Sequence, residues 1–154
     1  MAVELDSLNE TLPKPTGLDI EFVEDTPALN KWVSTLVYGF GGEDIAKRIK
    51  LWFDAESNIG FEPELNRFRY LGYLHGEPVS SSLMYLGAGV AGIYCMATLP
   101  EARRRGIGTE MTLHPLKMAS DMGYKVGVLG TTDIGYGVYH RISFKEYWKM
   151  GVYE

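Results

Sequence analysis

The chain has 154 residues, 45% of them hydrophobic and 23% charged, with a formal net charge of −5 at pH 7. That length holds one domain with a sizeable core, the composition excludes disordered and fibrous classes, and the negative charge argues against general binding to nucleic acid or to an anionic membrane surface. No apolar run approaches the ~20 residues of a membrane span, the amino terminus has no secretory-signal pattern, and the lone Cys95 can neither close an intrachain disulfide nor build a cysteine-rich zinc site, so a cytoplasmic protein is expected.

Residues 1–16, with Pro13, Lys14 and Pro15, read as a flexible arm ahead of one domain spanning 17–154. Leu18, Ile20 and Phe22 alternate with Asp19 and Glu21, the period of a half-buried strand. Thr26 followed by Pro27 predicts a helix start capped by the threonine hydroxyl, with an end near Tyr38 ahead of Gly39, Gly41 and Gly42. A second helix from Glu43 or Asp44 to about Ala55 would carry the stripe Ile45, Ile49, Trp52 and Phe53.

Between Arg67 and Ala97 the pattern changes to three short strands parted by turns at His75–Pro78 and Gly87–Gly89, a meander. Thr109 to Met122 reads as a helix ended by Gly123, with Pro115 inside it as a source of a kink. Val126, Val128 and Leu129 form a strand, residues 135–142 a short helix, and Phe144–Val152 a closing strand.

The chemistry concentrates between the third meander strand and the following helix, in Thr98-Leu-Pro-Glu-Ala-Arg-Arg-Arg-Gly-Ile-Gly-Thr109. Gly106 and Gly108 clear side chains from a turn so that backbone N–H groups can approach an anion, and the helix start adds its partial positive charge. Arg103, Arg104 and Arg105 bring charged donors that suit phosphate, and together these make a pyrophosphate cradle. The run lacks the lysine of a triphosphatase loop and the third glycine of a dinucleotide fingerprint, where Met111 stands instead.

Arg103-Arg-Arg-Gly106-Ile-Gly108 after a strand, and Tyr139-His-Arg-Ile-Ser-Phe144 downstream, resemble the two ordered motifs of the GCN5-related N-acetyltransferases over roughly residues 68–150. The resemblance implies an α/β fold: a mixed, mostly antiparallel central sheet flanked by helices, with the central strands splayed after Ala97 at the acyl-coenzyme A cleft. It implies acetyl-coenzyme A as co-substrate and direct transfer to a primary amine in a ternary complex, with a non-catalytic acyl-coenzyme A sensor or scaffold as the alternative. Residues 67–154 would bind the coenzyme and 17–66 would form the acceptor side.

Carried over by position, Met96, Ala97 and Thr98 would pair through their backbone with the pantetheine arm, as an added strand does. Arg103, Arg104, Arg105, Gly106, Ile107, Gly108 and Thr109 would hold the pyrophosphate, and Thr132 falls where relatives place an asparagine that contacts the coenzyme. Tyr139 would be the general acid that protonates the departing thiolate. Ser143 replaces the usual glycine, and the strand Lys125–Leu129 has no carboxylate, so the base falls to Glu21, Glu24, Glu43, Glu62 or water. His75, His114 and His140 have no metal-site spacing, no metal is expected, and Cys95 reads as a small hydrophobe. Residues 1–64 carry thirteen acids and five bases, which favours cationic acceptors such as polyamines, aminoglycosides or basic peptides. The acceptor, the acyl chain and the oligomeric state, with a homodimer as the candidate assembly, stay open.

Overall fold

A computed structural model describes residues 1–149 and 151. The elements are β1 (Ala2–Glu4), β2 (Leu18–Phe22), α1 (Thr26–Phe40), α2 (Ile45–Ile59), β3 (Arg67–Leu74), β4 (Glu77–Gly87), β5 (Val90–Thr98), α3 (Ile107–Asp121), β6 (Val126–Leu129) and α4 (Asp133–Arg141). One six-stranded sheet runs in the order β1-β6-β5-β4-β3-β2. Every neighbouring pair is antiparallel except β5 and β6, which are parallel, as the expected mixed sheet requires.

The meander follows from two-residue turns. His75 and Gly76 have φ of 51° and 86°, and Ala88 and Gly89 have 51° and 80°, so both hairpins turn through paired left-handed residues whose twist matches that of the strands. Strand alternation then sorts the core into two layers. Tyr70, Met84 and Ile93 face α3, whereas Leu71 and Leu83 face α1 and pack on Trp32, Val33 and Leu36.

α1 is capped by Asp25, whose Oδ1 accepts from the Ala28 N–H at 2.8 Å, and not by Thr26 as expected. Thr26 is already helical, and the carboxylate one residue earlier has the extended backbone a cap needs. α2 runs four residues further than expected, to Ile59, and Gly60 with φ of 90° stops it. α3 passes through Pro115 without a break. Proline removes the N–H that would bond the Met111 carbonyl, and the buried Ser82 hydroxyl from β4 donates to that carbonyl at 3.2 Å instead.

Two further expectations need correction. The first residues are not an arm: Ala2–Glu4 pairs with Val126–Val128, and Val3 and Leu5 are buried. The alternation Val3-Glu4-Leu5 gives a strand with one apolar face, and β6 offers it an open edge. The closing strand is absent from the described part of Phe144–Val152, where a single bridge joins Lys145 to Ala2; Met150 and Val152 lie outside the described residues. β1 occupies the β6 edge that a closing strand would otherwise use.

Candidate active site

The β5–β6 ladder is short. It pairs Ala91 with Gly127, Gly92 with Val128 and Ile93 with Leu129, and there β6 ends while β5 continues to Thr98. The strands therefore part after Ile93, four residues before the expected point at Ala97. The cause lies on the other side of β5, where the register with β4 slips between Ser81 and Leu83 and Cys95 takes a left-handed φ of 51°. Such a bulge bends a strand away from its neighbour.

Two buried serines fix the bulge. Ser80 Oγ donates to the Ala97 carbonyl at 2.7 Å and lies 3.0 Å from Thr98 Oγ1, and Ser81 Oγ donates to the Cys95 carbonyl at 3.1 Å. On the α1 face, Gly39 brings the helix down onto the same segment: a Cβ on Gly39 would sit 2.8 Å from the Ala97 Cβ. Met96, Ala97 and Thr98 thus form a rigid, bulged rail beside the gap.

The glycine-rich loop lies at the end of this rail. Gly106 takes a φ of 79° directly before Ile107 opens α3, a conformation that favours glycine. A Cβ at Gly108 would meet only Val138, at 4.0 Å. Ile107 and Thr109 turn their side chains into the core, so they offer a ligand their amides alone. A helix start with glycine at its cap and open space at Gly108 fits the diphosphate of a coenzyme.

The three arginines divide. Arg104, itself left-handed at φ 61°, and Arg105 are exposed, and neither enters an ion pair among the described residues. Arg103 instead donates from Nε to the Thr98 carbonyl at 3.0 Å and from Nη2 to the Gly39 carbonyl at 2.7 Å. It ties the end of α1 to the end of β5, a structural use of a residue expected to face phosphate.

Tyr139 lies on α4 in the core cluster against which Met96 of the rail packs, and its ring meets Phe144 edge-on at 6.0 Å. It is 7% exposed, and burial pushes its phenol up to about 12, so it is a protonated donor at neutral pH. Thr132 is the N-cap of α4, and its side chain makes no cap bond. Ser143 takes a φ of 79°, which explains why glycine suits that position.

Glu21, Glu24, Glu43 and Glu62 are all exposed. The buried acid is Glu56, which the sequence reading did not single out. Its carboxylate accepts from Arg67 Nη2 at 2.6 Å and Arg69 Nε at 2.7 Å, and Arg69 also donates to the Gly60 carbonyl at 2.9 Å. The signal was available: two arginines on one face of an otherwise apolar strand need a buried counter-charge. Burial, reinforced by Glu56 and opposed by the two arginines, pushes the Cys95 thiol up to about 11 and keeps it a small hydrophobe. Among the described residues no group of three His, Cys, Asp or Glu side chains could hold a metal ion, and no helix is long and apolar enough to cross a membrane. A separate open cleft of about 590 Å³ lies between α1 and Leu99–Glu101, lined by Asn30, Lys31, Ser34 and Glu101 among others, and none of its lining residues is an expected coenzyme contact.

The described residues thus form a mostly antiparallel sheet whose one parallel pair parts after Ile93, with a glycine-capped helix start following β5. The chain belongs to the acetyltransferase (GNAT) family, whose model matches residues 38–144. Solved structures carry the same fold. A GCN5-related N-acetyltransferase from Kribbella flavida is 23% identical with a TM-score of 0.67 over 94% of this chain and 52% of that one. A PaiA N-acetyltransferase from Thermoplasma acidophilum in complex with coenzyme A is 15% identical, with a TM-score of 0.71 over 86% and 94% of the two chains. A predicted acetyltransferase with acetyl-CoA from Clostridium acetobutylicum is 16% identical, with a TM-score of 0.66 over 89% and 96%. The chain spans about half the length of the Kribbella flavida protein. No curated protein matches the sequence.

Proposed function

We propose that the protein transfers an acetyl group from acetyl-coenzyme A to a primary amine by direct attack in a ternary complex. The observation that carries this reading is the parting of β5 from β6 after Ile93, which opens a bulged strand edge running toward the glycine-capped start of α3. Family relatives with coenzyme A or acetyl-CoA bound support it.

Acetyl-coenzyme A would supply an activated thioester. The amides of residues 106–109, with Arg104 and Arg105, would hold its phosphates, and the backbone of Met96–Thr98 would orient its arm. The acceptor nitrogen would lose a proton to water or to a carboxylate of the acidic amino-terminal part and form the C–N bond as the C–S bond breaks. Tyr139 would give its proton to the departing sulfur. The excess of acids in residues 1–64 supports a cationic acceptor.

A thermal-shift titration with acetyl-coenzyme A, coenzyme A, NAD and ATP tests the reading first, since a ligand that binds only the native state raises the midpoint. A shift with the coenzyme A compounds alone supports it, and a flat response to them at millimolar concentration sinks it. Thiol release with a panel of amines then separates an enzyme from a sensor, which would bind coenzyme without turnover.

A further inference from the structure

The segment between β1 and β2 crosses the α3 side of the molecule and ends against the phosphate cradle. Asn9 Nδ2 donates to the Arg141 carbonyl at the end of α4 at 3.1 Å, Glu10 pairs with Lys117 of α3 at 2.8 Å, and Lys14 lies 3.7 Å from Glu110 in the first turn of α3. At the cap itself, a Cβ on Gly106 would sit 3.5 Å from the Pro13 carbonyl oxygen and 3.6 Å from Pro15 Cγ. The two prolines thus hold Lys14 beside the loop with little backbone freedom.

Glu110 makes this placement consequential. A carboxylate in the first turn stabilises α3 through the helix dipole, yet the same charge repels a diphosphate bound at the helix start. Its side chain is only 13% exposed, so water screens it poorly, whereas the Lys14 side chain is 66% exposed and keeps donors free after pairing.

We propose that Lys14 is a coenzyme-binding residue: the segment 9–15 delivers its ammonium to the cradle, where it offsets Glu110 and contacts a phosphate of the coenzyme. This rests on the coenzyme reading above. Phosphates of coenzyme A occur both in the diphosphate and on the ribose, and the test separates them.

The experiment measures dissociation constants by calorimetry for coenzyme A, dephospho-coenzyme A and pantetheine, in the parent protein and in Lys14→Ala, Lys14→Arg, Glu110→Gln and the Lys14→Ala/Glu110→Gln pair. Lys14→Ala should weaken coenzyme A about three- to tenfold, less so at high salt, while Lys14→Arg keeps affinity and pantetheine, which has no phosphate, shows no difference. Glu110→Gln should tighten binding, and Lys14→Ala should cost less in that background. Equal loss for coenzyme A and dephospho-coenzyme A assigns Lys14 to the diphosphate, and loss for coenzyme A alone assigns it to the ribose phosphate. Unchanged affinity of Lys14→Ala for coenzyme A, with normal binding by the parent, overturns the proposal alone. No coenzyme A binding by the parent overturns the functional reading together with it.

Discussion

The hydroxyl of Ser82 on β4 reaches across the core to the carbonyl of Met111 on α3, the one carbonyl that Pro115 leaves without its helical donor. A residue that breaks helices is therefore kept inside α3 by a side chain from a different element. Both partners are fully buried, so nothing else can satisfy the carbonyl at low cost.

Ser82→Ala should lower stability by about 1–2 kcal/mol, measured by urea denaturation. In a Pro115→Ala background the restored N–H takes over the Met111 carbonyl, and the same serine change should cost distinctly less. Additive effects in this double-mutant cycle would refute the link.

α2 lays the partly buried Ile45, Ile49 and Phe53 against the α1-side core, and one charged side chain anchors it to the sheet. Glu56 is its single buried residue, and it is held by Arg67 and Arg69 of β3. Glu56→Ala strands two guanidinium groups in low dielectric and should cost about 3–5 kcal/mol. Hydrogen exchange should show the loss first in α2, and uniform deprotection of the whole sheet would contradict this account.

Ser143→Gly should stabilise the protein by about 0.5–1 kcal/mol, because φ at this position is 79° and a Cβ is strained there. The larger β-branched Ser143→Val should move the urea midpoint the other way.

Burial raises the phenols of Tyr139, to about 12 from 10.0, and of Tyr70. A raised folded pKa favours the neutral form in the fold, so this stability is fully present below pH 10 and is lost as pH rises toward 12. Tyr139→Phe should flatten the alkaline decline in the urea midpoint. The same variant should lose turnover while retaining coenzyme affinity, and undiminished turnover would remove Tyr139 from the mechanism.

Local patterns announced themselves in the sequence. Alternation at Leu18–Phe22, turn residues at His75-Gly76 and Ala88-Gly89, and glycines at 106 and 108 each act over a few residues, and the structure has the corresponding strand, hairpins and helix cap. What was missed depends on partners far along the chain. Nothing within residues 1–16 says that β6 has a free edge for Val3, and Arg103 looks like a phosphate ligand until Gly39 is seen beside it. Likewise the strands part after Ile93 because of a bulge that two consecutive residues, Ser80 and Ser81, accommodate from the neighbouring strand. Composition shows those serines as polar residues in a strand; only packing gives each hydroxyl its carbonyl.

The pairing of β1 with β6 also bears on how the molecule assembles. Val3 opposite Gly127 joins residues from nearly opposite ends of the chain, so closing this contact carries a large loop-closure entropy and needs the intervening elements in place first. The β3–β4–β5 meander, by contrast, zips from two-residue turns. Folding is thus expected to proceed outward from the meander. On a ribosome β1, made well before β6, would wait unpaired until the strand beside the β5–β6 gap had emerged.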